Sequence, residues 1–335
     1  MPTDPYPLII RAMLQFKADL LAGEAAQIEA MGARWLAIEA TLQDSFEVLA
    51  QHLETAADGP LTHAKLLRME RYRRLLDQVQ AQLDGYADFA VVQVSRGQLA
   101  HLRLGLQHAV ESIRDYFQTY GKVAGAFDLL PVSAIEAIVG FASDGSPLRS
   151  LFAAAWPESV EGLTQALIDG VALGRNPIET ARQMRAKFGT GFHRAINIAR
   201  TEQLRAYRAS NIGQYQHSKL VDGYMRLSAR DNRVCAACLM ADDGTVYPLT
   251  TPFEEHPQGR CSPVPVVKGL PIVRWQSGQS WFLAQDPATQ RSILGPQRYD
   301  AWLNQEFELA DVVKRVENET WGASLVPTPL HELVK

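Results

Sequence analysis

The chain has 335 residues, of which 47% are hydrophobic and 21% charged, and its formal net charge is −4. The length suffices for two or three domains with proper cores, and no stretch approaches the roughly 20 apolar residues that span a membrane. The start lacks a basic segment followed by an apolar core, so we expect no secretory signal and synthesis in a cytoplasm. The acidic balance excludes a surface built wholly for nucleic acid, but a local basic face stays open.

The first part of the chain, from about 8 to 120, is rich in Ala, Leu, Gln, Glu and Arg, with a Gly-Pro break near 58–60. This pattern predicts three or more long helices. A turn signal at 144–147 marks a connector with one helix, and we place a boundary near Phe127. The predicted parts are a helical N-terminal domain at 1–126, a connector at 127–158, a domain with a Cys/His cluster at 159–268 and an extension at 269–335.

Three helices are predicted next, at about 160–173, 177–188 and 192–217. Asn176 is a good cap for the second helix, and Pro177 suits its first position. The charge here is unusual, since eight basic residues between 175 and 208 face only two acidic ones, a surplus of six positive charges. The basic residues are Arg175, Arg182, Arg185, Lys187, Arg194, Arg200, Arg205 and Arg208.

From residue 221 the hydrophobic period changes to alternation, which predicts a compact β-rich module. Its last extended run, 261–267, contains prolines and should be an edge strand or loop. Helices are predicted at 287–293 and 297–307, and a tail with Trp321 should pack back on the body. The expected fold class is mainly α with a small β-rich module (α+β).

All three cysteines lie in this module, as Cys235-Ala-Ala-Cys238 and Cys261, and His256 lies between them. Four such ligands without an obvious open position predict a closed, structural zinc site. The alternative is three ordinary thiols in a small β module. A redox pair is disfavoured because such pairs usually open a helix after a strand, whereas this one lies between Asp231-Asn232 and an acidic turn.

Arg200 and Glu202 are two positions apart on a helix, so they cannot face one another. We expect them to pair with other elements, such as Asp231 or Arg230, unless they are ordinary surface charges. Asp231, His256 and Glu254 or Glu255 could also suggest a hydrolytic centre, but nothing fixes a nucleophile, an open metal position or a phosphate cradle. The sequence has no Walker loop or dinucleotide fingerprint.

Several of these motifs occur in an order that resembles the head-morphogenesis family of tailed phages typified by the F protein of phage Mu. The resemblance covers about 160–267, and the residues after it, including Trp281 and Trp321, resemble the continuation in many such proteins. Many family members have a cysteine at the position of Gly259. The motifs are Gly174-Arg175-Asn176-Pro177, Ile198-Ala199-Arg200-Thr201-Glu202, Ala206, Asp231-x-x-Val234-Cys235-x-x-Cys238, Gly244 and His256-Pro257-x-Gly259-Arg260-Cys261.

The resemblance implies a structural minor head protein of the virion, not an enzyme, present in few copies at the portal vertex. Its implied partners are the portal protein, packaged double-stranded DNA, and the major capsid or scaffold protein, with no membrane. Arg200, Glu202 and Asp231 would be structural motif positions.

A basic face would suit DNA phosphates or an acidic portal surface, although the protein's own acidic segments could equally neutralise it. Its candidate contacts are Arg175, Arg182, Arg185, Lys187 and Arg194. The rival functions are a DNA-binding ejection protein and a metal-dependent nuclease or toxin-type enzyme. The second would need catalytic sequence that the residues after 267 do not offer.

Overall fold

A computed structural model describes residues 6–56, 61–142, 144–318 and 321–334. The predicted class is confirmed, because helices dominate and the strands form only a three-stranded and a two-stranded antiparallel sheet. None of the helices in these ranges is both long and apolar enough to cross a membrane.

The N-terminal helices are two long rods joined by a short helix, which corrects the expectation of three or more long helices. They are α1 (Leu8–Ala56), α2 (His63–Arg68) and α3 (Glu70–Thr119). Helix α3 continues through its glycines because these make room for neighbours: a Cβ at Gly105 would lie 2.6 Å from the carbonyl oxygen of Tyr207. Glycine therefore serves close helix packing here and does not end the helix.

The middle of the chain adds four helices that pack on α1 and α3. They are α4 (Leu148–Ala154), α5 (Pro157–Ala172), α6 (Pro177–Phe188) and α7 (Thr190–Ser218). The predicted cap is confirmed, since the Asn176 side chain accepts a hydrogen bond of 2.8 Å from the backbone N–H of Ile178. The largest core combines side chains of α1, α3 and α5 to α7, with Trp35 stacked on Phe188 at its centre.

The predicted β module is a three-stranded sheet in the order β2-β1-β3. Its strands are β1 (Val221–Leu227), β2 (Val246–Pro248) and β3 (Ser262–Val267), and helix α8 (Ala236–Met240) follows β1. The proline-containing strand β3 lies at an edge, as its sequence predicts. The start of α1 covers the sheet, because Ile9 and Met13 share a core with Val264.

The C-terminal part packs around α8. Its elements are α9 (Gly278–Leu283), α10 (Pro287–Leu294), α11 (Pro296–Leu303), β4 (Val313–Asn318), β5 (Gly322–Pro327) and α12 (Leu330–Leu333). Short 3-10 turns occur at Val132–Ala134, Glu136–Ile138 and Leu309–Val312. Phe282 and Val312 bury their side chains against Leu239 of α8. The core of this part thus closes over the helix that carries the cysteine pair.

Candidate metal centre

The four predicted metal ligands reach one place from two segments on either side of β2. Cys235 occupies the N-cap position of α8, and Cys238 lies on that helix. His256 lies in the loop between β2 and β3, and Cys261 directly precedes β3. Because β3 pairs with β1, from which the chain runs to α8, the sheet holds the two segments side by side.

The donor atoms have the spacing of a metal site. The Sγ of Cys238 lies 3.1 Å from Nε2 of His256. The donor atoms of Cys235, Cys238 and His256 all lie within 4.8 Å of one another, and a second such group joins Cys238 to Cys261. Zinc bonds of about 2.0 Å to nitrogen and 2.3 Å to sulfur place tetrahedral ligands roughly 3.3–3.8 Å apart. Cys235, Cys238 and His256 therefore lie close enough together to be ligands of one zinc ion, and Cys261 is linked to them through its group with Cys238 and Glu255.

The imidazole of His256 is already oriented for an ion. Its Nδ1 lies 2.8 Å from the carbonyl oxygen of Pro257, to which it donates a hydrogen bond. This contact fixes Nδ1 as a donor and leaves Nε2 as the nitrogen that faces the thiols, which is how outer contacts usually orient a histidine ligand. The same loop is tied to α7, because the N–H of Gln258 donates to Oγ1 of Thr201 at 3.1 Å.

The cysteine and histidine side chains of the cluster carry charges in the absence of an ion. A hydrogen bond from Cys238 lowers the pKa of Cys235 to about 4 despite its burial. Burial opposes protonation of His256, yet its hydrogen bond to Cys235 and the nearby Glu255 charge raise the pKa of His256 to about 9. The pKa of Cys238 is raised by its hydrogen bonds to both other cysteines and by burial. A thiolate and an imidazolium are thus paired here, and an ion would displace the imidazolium proton.

The setting of the cysteine pair differs from the expected one. The sequence placed it between polar residues without a helix, whereas the structure begins a short helix at Cys235, after a strand. The five apolar or thiol residues of α8 are all buried, so tertiary packing stabilises a helix too short for a sequence signal. Cys235 therefore lies in a setting that lowers its pKa, contrary to what its polar sequence neighbours predict.

A fifth donor, Glu255, lies in the cluster. From the sequence it was a candidate only for a hydrolytic centre. Its side chain is 1% exposed, and Arg226, at 4%, donates to Oε2 over 3.2 Å. Burial would raise the pKa of Glu255, but Arg226, Arg208 and His256 together hold it below its usual value. Arg208 is buried too and donates to the carbonyl oxygen of Gly259 at 2.8 Å. The alternating pattern of β1 did not predict that Arg226 is buried beside Glu255, because β1 is buried on both faces.

The C-terminal extension covers the loop that carries His256. Ser324 of β5 donates to the carbonyl oxygen of Glu255 at 3.3 Å. Arg315 of β4 binds both carboxylate oxygens of Glu254, at 2.8 and 3.0 Å. Glu254 is thus engaged away from the cysteines, and the cluster is closed on this side.

The family-motif residues form ion pairs around the cysteine cluster and along α7. Asp231 accepts two hydrogen bonds from Arg260, at 2.5 and 2.8 Å, next to Cys261. Arg200 pairs with Glu24 of α1 at 3.4 Å, and the buried Glu202 pairs with Arg205 at 2.7 Å. The expected pairing of Arg200 or Glu202 with Asp231 or Arg230 is wrong, since α1 and α7 supply the partners.

The predicted basic face is only partly free. Arg194 pairs with Glu158, and Arg182 pairs with Glu179. The other three candidates, Arg175, Arg185 and Lys187, are exposed and have no carboxylate within ion-pair distance among the described residues. All but one of the five lie on or beside α6, which packs on α1, α5 and α7 and not on the sheet. The basic face and the metal centre are therefore separate features.

Comparison with known proteins gives one family. Residues 161–263 match the family described as Phage Mu protein F like protein. The match covers about a third of the chain, from α5 to the start of β3, and includes all four predicted ligands. It confirms the resemblance that the motif order indicates. No curated protein and no solved structure is similar enough to count as a match.

Proposed function

Because residues 161–263 match the phage Mu F-like family, whose role is in head morphogenesis, we propose that this chain is a minor head protein that acts at the portal vertex of a tailed phage. The proposed location is the virion head, and the role is structural and exercised through binding. The family match to the segment from α5 to β3 is the observation that carries this proposal.

The turn between α5 and α6 supports a binding role. Leu173 and Ile178 flank this turn, with 67% and 53% of their surfaces exposed, and the unpaired Arg175 lies between them. Large apolar groups next to arginine are typical of protein interfaces. We infer that this turn, together with Arg185 and Lys187, contacts an acidic surface of the portal protein. These residues are the free part of the basic face.

Co-purification with the portal protein of the same phage tests the proposal. We expect a stable, stoichiometric complex after washing at moderate salt. Charge reversal by Arg175→Glu with Arg185→Glu should weaken it at least about tenfold, because each reversal replaces an attraction by a repulsion. Binding of the purified proteins, followed by calorimetry, measures the loss.

The control variant is Arg73→Glu, which reverses an equally exposed charge on α3, outside the basic face. It should bind the portal normally. A chain that fails to associate in either order of expression contradicts the portal proposal. Salt-dependent binding to duplex DNA that is lost in the double variant, with portal binding intact, would reassign the basic face to packaged DNA.

We propose in addition that Cys235, Cys238, His256 and Cys261 hold a structural zinc ion. The fit of the donor distances, the orientation of His256 and the closed surroundings support it. An ion would stabilise the module by cross-linking α8 to the loop before β3.

Metal analysis of protein purified without chelator tests this proposal. We expect about one equivalent of zinc, as in closed structural sites, and a large loss in Cys235→Ser and in His256→Ala. Chelation should lower the melting temperature of the zinc-loaded protein but not that of either variant. His331→Ala, which changes an exposed histidine near the C terminus, is the matched control. A wild-type protein that purifies without zinc and does not take it up would rule the site out.

A further inference from the structure

The carboxylate of Glu255 points at the same centre as the predicted ligands. Its Oε1 lies 3.4 Å from the Sγ of Cys238 and 3.6 Å from Nε2 of His256. These two separations and the 3.1 Å between Cys238 and His256 form a triangle of the size expected for three ligands of one tetrahedral ion. Glu255 is thus as well placed for an ion as the ligands predicted from the motif.

The two oxygens of Glu255 have different neighbours. Oε2 accepts from Arg226, while Oε1 accepts from the backbone N–H of His256 at 3.2 Å and from the thiol of Cys238, and it faces the imidazole. The arginine and the backbone N–H together hold the carboxylate in the orientation that presents Oε1 to the thiol and the imidazole, as outer contacts usually do for carboxylate ligands.

Gly259 provides the space that the carboxylate occupies. A Cβ at this position would lie 2.5 Å from Oε1 of Glu255 and closer still to its Cγ and Cδ. Any side chain at residue 259 would therefore collide with the buried acid. In this chain, Glu255 occupies the space that a side chain at position 259 would need.

Two buried guanidinium groups, those of Arg208 and Arg226, act on the cysteines and on Glu255. Glu255 is therefore held beside fixed positive charges, as a buried carboxylate requires.

We propose that Glu255 binds the ion directly through Oε1, as an oxygen ligand for which Gly259 leaves the space. The inference rests on the zinc site proposed above. Together with the four predicted ligands, Glu255 gives the ion five donors, three sulfurs, one nitrogen and one oxygen, where the motif alone indicates three sulfurs and one nitrogen.

X-ray absorption at the zinc edge of the loaded, full-length protein tests the ligand. We expect two light-atom neighbours at about 2.0 Å, from His256 and Glu255, beside sulfur at about 2.3 Å. In the double variant Glu255→Ala with Gly259→Cys, one light atom should disappear and one sulfur should be gained. A structural role of Glu255 outside the ligand shell would leave the light-atom count unchanged.

The single variant Gly259→Cys provides the steric control. It should melt at a lower temperature than the wild type, and the added Glu255→Ala should restore the loss. Gly125→Cys adds a thiol at a glycine with no neighbours within 4 Å and should leave both measurements unchanged. A zinc-loaded wild type with a single light-atom neighbour overturns the role of Glu255 and leaves the zinc site standing. A wild type without zinc overturns both.

Discussion

His108 is a buried histidine that no sequence motif marks. It lies on α3, where its ring stacks on Phe16 of α1 at 3.7 Å between centroids. Its Nδ1 is 3.2 Å from the hydroxyl of Tyr207 on α7. Burial lowers the pKa of His108 to about 4, although Asp19 acts in the opposite direction. The three central helices thus meet at a group that remains neutral at physiological pH.

This neutral histidine should make the fold sensitive to acid. Since the pKa in the folded state is below the unfolded value of 6.5, the unfolded chain takes up a proton first as the pH falls. His108 contributes fully to the free energy of unfolding above pH 6.5, and this contribution is lost progressively towards pH 4. The loss amounts to roughly 2 kcal/mol at pH 4.5. Urea unfolding of wild type and His108→Gln at pH 7.5 and 4.5 measures it.

The informative quantity is the pH dependence and not the stability at one pH, because His108→Gln also loses the stacking on Phe16. The variant should lose less free energy of unfolding between the two pH values than the wild type does. His63→Gln, at an exposed histidine, should follow the wild type. Equal pH dependence in all three proteins would contradict the assignment.

At the residue scale, the sequence predicted those features of the candidate site that depend only on residue type and spacing. Cys235, Cys238, His256 and Cys261 were found because few other roles need these types so close together. Glu255 could not be told from Glu254, since only the fold decides which carboxylate turns inwards. Arg208 was counted in the positive surplus of residues 175–208 because arginine is usually exposed, and its burial depends on the acid opposite it.

At the scale of elements, the connector between α3 and α4 is attached mainly by two buried glutamines. The amide of Gln214 accepts from the N–H of Leu130 at 2.8 Å and donates to the carbonyl oxygen of Asp128 at 3.0 Å. Gln98 binds Gly140 and Phe141 in the same way, at 2.8 and 3.1 Å. Each amide therefore makes the pair of backbone hydrogen bonds that a neighbouring β-strand would otherwise make, in a segment with little regular structure of its own.

Removal of one amide should release the connector locally. Gln214→Leu keeps the side chain's size but loses both hydrogen bonds, each worth about 1 kcal/mol. We expect chymotrypsin to cleave near Phe127 about tenfold faster, with the melting temperature little changed. Gln107→Leu, at an exposed glutamine on α3, is the control. Unchanged cleavage in Gln214→Leu would show that other contacts hold the segment.

Helix ends marked by local chemistry were the easiest elements to predict. Asn176 and Pro177 begin α6 as expected, and the prolines of β3 place it at an edge. Helix α8 was missed, because five residues carry no periodicity and its formation depends on the C-terminal core around it. The number of long N-terminal helices was wrong because the segment after the break forms one continuous helix, α3, and not two.

At the scale of the whole molecule, segments far apart in the chain share cores. Leu42 of α1, Val79 of α3 and Leu163 of α5 lie in one cluster. Periodicity shows which face of a helix is apolar, but not which other helix covers it. The sequence could therefore predict the helices and the class of fold, while the packing of the N-terminal helices on the family-matched segment came from the structure alone.

The length of α1 has a mechanical consequence. Its 49 residues rise about 70 Å, with the N-terminal end fixed to the sheet through Ile9 and the far half packed among α3, α5 and α6. One helix thus spans the distance from the core under the sheet to the largest helical core, and any change of its tilt would have to disturb the packing at both ends.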